Sequence, residues 1–295
     1  MSESADQPQA YFEFLGTVEV DTKQGPATFE RFLCTELAHG AWGPFQHGAP
    51  PAALLTRALE RGPGSDSGMR TTRIAVDLLG QVPYTEIRTR SWVSRPGRQI
   101  QKIEGEILAE DKNGNWRAVA SGAAWQMSTI DTSEIERAFD RSIPGPDECN
   151  DEVVPLKQWP GGFISSVEAR SGEDKSPVHH SGPGTRIHWV RTPYPIVEGE
   201  VPTPIEYLMQ LTDTANGIGA TLDYNKWAFM NTDLVVHIHR QPNLDTTDRW
   251  IGISARGSVG PDGIGMTSGE LYDEYGPIGR SVQTLLVRPQ AAPLA

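Results

Sequence analysis

Few residues in this 295-residue chain combine a reactive side chain with a setting that would make it react. Asp213 falls late in the run PIEYLMQLTDTANG (204–217), whose apolar positions cover more than one stripe and so predict a buried helix. A free aspartate, with a pKa of ~3.9, is a weak base at neutral pH. Burial among Met209, Ala215 and their neighbours raises that value and its basicity, so Asp213 reads as a general base. Its ordinary alternative is a carboxylate bonded to backbone N–H or paired with an arginine. Gln283 lies in SVQTLLVR, where alternation places it with Leu285 and Val287 on the apolar side of a strand. An amide cannot take a proton. It can orient a water or a carbonyl oxygen, or else be a core glutamine bonded to backbone.

A helix start offers the complementary chemistry. His47-Gly48-Ala49 precede Pro50 and Pro51 without a Ser, Thr, Asp or Asn cap, so free N–H groups are expected where an oxyanion could be held. The prolines remove two of those donors. Gly48 or Ala49 is expected to line a pocket, with His47 either contacting substrate there or packing its loop. Arg95 and Arg98 flank a Pro-Gly turn and suit ligand phosphates or a plain solvated turn. His237 and His239 share a strand face with Asp233, but no third ligand has metal-site spacing, and His179-His180 fall in a polar loop. DKNGN and GPDG lack a calcium ligand ladder. No metal or other cofactor is expected. Cys34 and Cys149 provide neither a disulfide framework nor a CxxC pair. No Gly-x-Ser-x-Gly elbow is present, which disfavours a serine hydrolase.

Composition narrows the partners. A net charge of -12 argues against nucleic acid and against an anionic membrane surface, since both need a basic footprint. The polar start MSESADQPQA lacks the basic and apolar regions of a signal peptide, and no run approaches a membrane span. A cytoplasmic, reduced protein is expected. Hydrophobic content of 37% fits a globular chain, while 23 prolines and 30 glycines imply much loop.

The elements that must position these residues come in two sets. Strands are predicted near 11–20, 28–37, 72–80, 86–95, 100–110 and 116–127, with a helix from Pro50 to the Gly62-Pro63-Gly64 stop. Residues 129–183 show no sustained period and read as a surface excursion with one short helix near 132–140. The pattern restarts at TRIHWVR (185–191). Thr203-Pro204-Ile205-Glu206 is a capping box with proline at the first helical position, and Asn216-Gly217 marks that helix's expected end. Strands follow near 231–240, 249–258, 264–273 and 278–288. The second half thus restates the first: EGEILAEDKNGNWRAVASG (104–122) against SGELYDEYGPIGRSVQT (268–284), RIAVDLLGQVP (73–83) against DLVVHIHRQP (233–242), and PPAALLTRALE (50–60) against PIEYLMQLTDTANG. In that alignment Ser121 faces Gln283, so the two seams between repeats are expected to be unequal. The fold class is α+β: two tandem repeats, each a curved antiparallel sheet wrapped around a long helix, with repeats over 1–130 and 184–295 and a linker over 131–183.

WGPFQHGAPPAALLTRALE, RPGRQIQ, HWVRTPYPI, the DTANG closing the second helix, VVHIHRQP and IGRSVQTLLVRP, in that order, resemble the thioesterase-like double hot-dog superfamily, most nearly the type II acyl-CoA thioesterases. The resemblance runs from about residue 11 to about residue 290 and leaves the middle excursion uncovered. It implies hydrolysis of an acyl-CoA thioester by a water that a carboxylate, a small polar side chain and a glutamine hold jointly. Those positions fall on Asp213, on Asn231 or its neighbour Thr232, and on Gln283. The family's usual residue at the middle position is threonine, so Asn231 departs from the pattern. A hot-dog enoyl-CoA hydratase or dehydratase and an acyl-CoA binder without catalysis are the alternatives. Trp42, Phe45, Trp227 and Phe229 would close the acyl tunnel or line it. Exposed strand edges give a motive for a homodimer, with a monomer as the alternative.

Overall fold

The computed structural model describes residues 8–22, 25–151, 160–172 and 185–290. His179 and His180 lie outside them. The strands are β1 (Phe12–Thr22), β2 (Gly25–Cys34), β3 (Arg70–Leu78), β4 (Glu86–Arg95), β5 (Ile100–Glu110), β6 (Trp116–Met127), β7 (Asn150–Asp151), β8 (Glu168–Gly172), β9 (Thr185–Arg191), β10 (Trp227–Asn231), β11 (Asp233–Ile238), β12 (Ile251–Val259), β13 (Ile264–Asp273) and β14 (Gly276–Pro289). The α-helices are α1 (Ala49–Arg61), α2 (Gly162–Ser165), α3 (Pro204–Thr212) and α4 (Ala215–Ile218).

One antiparallel sheet runs β1-β2-β4-β5-β6-β3-β11-β14-β13-β12-β9-β8-β7, with β10 added against β14. Its midline is the β3–β11 pairing, where Ala75 faces Val235 and the flanking pairs, Asp77–Asp233 and Arg73–His237, are two positions away on either side. Outward from this line the halves match strand for strand, so this is a double hot-dog. β8 occupies in the second half the place that β1 takes in the first. It lies inside the stretch read from sequence as an excursion, because Glu-Ala-Arg-Ser-Gly carries no alternation of apolar residues to announce it. The short helix expected near 132–140 is a single 3-10 turn, Ser133–Ile135, with every residue exposed and no apolar stripe to bury.

The register about the midline also corrects the repeat alignment. Ala75 pairs with Ala123 on β6 and Val235 with Val282 on β14, so Gln283 corresponds to Ala124 and not to Ser121. By the same count Asn231 corresponds to Thr71.

The two long helices lie inside the curve of the sheet. In α1 every residue from Ala49 to Leu59 is buried, including the prolines at its first turn and a Leu54-Leu55 pair facing strands and helix at once. Glycine lets the sheet come this close. A Cβ on Gly122 would stand 2.9 Å from Leu55 Cδ2, and one on Gly105 3.2 Å from Leu55 Cδ1. α3 starts at the expected capping box: Thr203 Oγ1 accepts from Glu206 N–H at 3.1 Å, and Glu206 Oε2 accepts from Thr203 N–H at 2.9 Å. The helices run antiparallel. At one end Arg61 forks onto the buried Glu206, with both contacts at 2.6 Å. Arg57 donates to Glu200 and Glu30 beside it. At the other end the start of α1 meets the end of α3. No helix among the described residues is long and apolar enough to cross a membrane.

Candidate active site

Asp213 is placed by a break in the second helix. Thr212 Oγ1 donates to Leu208 C=O and Thr214 Oγ1 to Leu211 C=O, at 2.7 and 2.6 Å. Such back-bonding satisfies carbonyls that a helix end would orphan, and it bends the chain. Asp213 is the C-cap of α3 at this bend, two residues before α4, and is 4% exposed.

Its two oxygens face different surroundings. Oδ1 accepts from Gln283 Nε2 at 2.7 Å and from Asn231 Nδ2 at 2.8 Å. Gln283 reaches it from β14, with Leu285 and Val287 buried beyond it on the same face. Asn231 reaches it from the end of β10. Oδ2 lies 3.2 Å from His47 Nδ1 and close against Gly48, where a Cβ would come within 2.7 Å of it. Thr232 is adjacent but different. Its hydroxyl lies 3.4 Å from Asp233 Oδ1, and its backbone bridges Leu78 and Thr284. The structure therefore brings together Asp213, Gln283, Asn231, His47 and Gly48, and puts Asn231 rather than Thr232 against the carboxylate.

Burial pushes Asp213's pKa up, opposed by His47 and by the Asn231 and Gln283 amides. Burial pushes His47's down, opposed by Asp213. Both shifts favour a neutral acid beside a neutral imidazole over an ion pair. The hydrogen bonding agrees. Ala49 N–H donates to His47 Nδ1 at 3.1 Å, which requires an unprotonated Nδ1. This contact also spends the Ala49 N–H, so Ala49 does not supply the pocket donor expected of it. Ala52 N–H bonds Gly48 C=O, and Pro50 and Pro51 have no N–H. Gly48 N–H is the first-turn donor of α1 without a partner among the described residues.

A cavity of about 270 Å³ opens on Asp213, lined on one side by Trp42, Phe45, Gln46, His47 and Gly48, and on the other by Asn216, Phe229, Asn231 and Thr232. Of the four aromatic residues that sequence left open, Trp42, Phe45 and Phe229 line it, while Trp227 is 40% exposed elsewhere. The loop before α1 is fixed by Tyr84, whose hydroxyl donates to Phe45 C=O while its ring stacks on His39 at 3.8 Å. His47 itself stacks on Phe163 at 4.3 Å. Phe163 and Ile164, which reaches the cavity, belong to α2, so the stretch between the repeats supplies part of the site. No periodicity announced that contribution. Asn216, expected from sequence only as the helix's end, lies within α4 and lines the cavity.

Arg95 and Arg98 are not at this site. Their turn leads into Ile100, which pairs with Met127, itself the partner of Arg70 at the start of β3; the cavity includes Leu78 at the other end of that strand. At ~3.3 Å per residue, the strand's length separates them. Arg95 donates to Ile100 C=O at 2.6 Å within its own turn, and Arg98 is exposed. Among the described residues no cluster of three metal-ligating side chains occurs.

A buried carboxylate thus lies at the junction of two hot-dog repeats, open to a largely apolar cavity, and the comparisons give this fold a family. Residues 38–127 match the model of the acyl-CoA thioesterase N-terminal domain, and residues 146–287 that of the acyl-CoA thioesterase C-terminal domain. The chain belongs to this acyl-CoA thioesterase family. Among solved structures it is similar to the acyl-CoA thioesterase II TesB2 from Mycobacterium marinum, at 14% identity and a TM-score of 0.65 over 89% of this chain and 94% of that one. It is also similar to a conserved protein of unknown function with a hot-dog fold from Alicyclobacillus acidocaldarius, at 16% identity and a TM-score of 0.67 over 89% and 93%. The dehydratase domain from the CurF module of curacin polyketide synthase follows at 14% identity and a TM-score of 0.51 over 93% and 98%. At these identities the likeness is one of fold. A comparison with curated protein sequences found no match.

Proposed function

We propose that this chain hydrolyses an acyl-CoA thioester by direct attack of water, with Asp213 as general base. One observation carries the reading: a buried carboxylate has one oxygen fixed by two amide donors and the other at a cavity, beside an unpartnered N–H at a helix N-terminus. Family membership supports the substrate class.

In the reaction, ionised Asp213 accepts a proton from a water as the water oxygen bonds to the thioester carbon. The carbonyl oxygen gains the negative charge and accepts from Gly48 N–H, where the α1 dipole favours an anion. When the C–S bond breaks, the thiolate leaves with the electron pair and Asp213 returns the proton to sulfur. The products are a carboxylic acid and the coenzyme thiol, with no covalent enzyme intermediate. Gln283 and Asn231 act as positioning residues, because both amides are committed to Asp213 Oδ1. His47 stands 3.2 Å from the second oxygen. Thr232 forms the cavity wall, and Arg95 and Arg98 take no part in the reaction.

The Asp213–His47 contact at 3.2 Å also suits a second reading, hydration of an enoyl-CoA by an aspartate–histidine pair. Thiol release measured on acyl-CoAs of graded length separates the readings. Asp213→Asn is expected to lower turnover by ~10²–10⁴-fold, the usual worth of a general base. Hydration without thiol release would favour the second reading, and acyl-CoA binding without turnover in the parent would mean a binder.

A further inference from the structure

Beyond the site's cavity lies a second, much smaller one of about 10 Å³, room for at most about one water. Its walls include Ala220, Leu222, Val259 and Leu285, with Thr267 and Ser258 among them. The two cavities share two lining residues, Asn216 and Phe229. Asn216 is tied to the same strand, its Nδ2 donating to Phe229 C=O at 3.1 Å. Phe229 is 2% exposed, and its ring meets Trp42 edge-on at 5.3 Å. On β10 it precedes Asn231 by two residues, so it stands on the same face, roughly 7 Å along the strand from the amide that touches Asp213.

We propose that Phe229 is the stop of the acyl channel: the small cavity is the channel's continuation, and the ring across the shared wall restricts the enzyme to short acyl groups. The proposal rests on the thioesterase reading for its substrate. The physical reason is volume. A chain that ends before the ring is enclosed by the larger cavity, whereas a longer one must displace a packed aromatic to reach the apolar surface of Leu222, Val259 and Leu285. Among the described residues Asn216 Oδ1 and Thr267 Oγ1 have no partner, which suits one water in the small cavity that an entering alkyl chain would displace.

The test is the ratio of kcat/KM for decanoyl-CoA to that for butyryl-CoA in the full-length protein, together with binding of the matching S-alkyl-CoA thioethers, which cannot be hydrolysed. Phe229→Ala is expected to raise the ratio by ~10-fold or more, the worth of added methylenes in an apolar pocket, and to tighten the decyl thioether relative to the butyl. Adding Ala220→Leu, which refills the small cavity, should return both ratios toward the parent. Phe229→Leu, a milder change, decides by the same ratios if the alanine variant does not fold. A parent that already handles decanoyl-CoA as well as butyryl-CoA, or unchanged ratios in a folded variant, overturns the proposal. If no thioester is hydrolysed by the parent the reaction assignment fails, and the thioether ratios still decide the channel.

Discussion

The two ends of the antiparallel helix pair have the same plan and opposite fates. At each, the N-cap of one helix faces a carboxylate near the C-terminus of the other: Gly48 faces Asp213, and Thr203 faces Glu60, to which its hydroxyl donates. Thr71, the counterpart of Asn231, accepts from Gln126 Nε2 at 3.3 Å and pulls the Glu60 pKa down against burial. Yet Ala124 stands where the first end has Gln283, and the neighbouring Gln101 and Gln126 amides bond each other at 2.6 Å. Thr203 meets its carboxylate with a side chain, whereas Asp213 Oδ2 packs directly against Gly48, and Arg61 covers Glu206 beside Thr203. The two ends thus differ in the N-cap and in the amides that meet the carboxylate. A residue without a side chain lets the carboxylate pack against one helix start, and a threonine turns the matching junction into a helix cap.

Exchanging the caps gives the largest expected effect. Gly48 has ordinary helical dihedrals, φ −65° and ψ −27°, so alanine there meets no backbone strain. Its Cβ instead falls 2.7 Å from Asp213 Oδ2 and must push the carboxylate aside. Gly48→Ala is expected to lower kcat/KM by ~10²-fold, as displacements of about an ångström at a reacting group do, with Tm little changed. Thr203→Ala should do the reverse, costing about 1 kcal/mol of stability for the lost cap while thiol release persists. Equal losses of activity in the two variants would erase the distinction between the ends.

A smaller effect concerns stability. Burial raises Asp213's pKa in the folded state, so the fold retains a proton that the unfolded chain loses above ~3.9. That stabilisation is complete below the unfolded value and is lost as pH rises through the folded one. An amide in the carboxyl's place carries no such dependence. Asp213→Asn should therefore unfold at a higher temperature than the parent at neutral pH, and the gap should close as pH falls below ~4. Thermal unfolding of both proteins across pH tests this, and a gap that widens in acid would contradict it. A more stable, inactive variant is the expected sign of a residue kept for chemistry.

The features legible in sequence were those with local causes. Proline after threonine with glutamate at the third helical position announced α3, and alternation in SVQTLLVR put Gln283 on the buried face. The missing features depend on register and distance. Glu168–Gly172 joins the sheet without an apolar pattern because its pairing with β9 is what orders it. Ser121 aligns with Gln283 by letter but not in space, because similarity of letters does not fix which residues face each other across β3 and β11. Arg95 and Arg98 looked apt for phosphate, but sequence does not say at which end of a strand a turn emerges. Phe163 supports His47 across more than a hundred residues, a contact with no local signature at all.

The smallest effect sharpens the comparison most finely. The Asn231 and Gln283 amides favour ionised Asp213 and pull its pKa down against burial. A general base works only when ionised, so the acid limb of kcat/KM should lie above the ordinary aspartate range. Asn231→Ala removes one donor, and its acid limb should move further toward high pH while the plateau falls modestly. Asn231→Thr keeps a hydroxyl donor at this position and should move the limb less. Thr71→Ala, at the Glu60 end, should leave it in place. A limb that moved equally in Asn231→Ala and Thr71→Ala would mean that the titration belongs to the fold as a whole rather than to the carboxylate at the open junction.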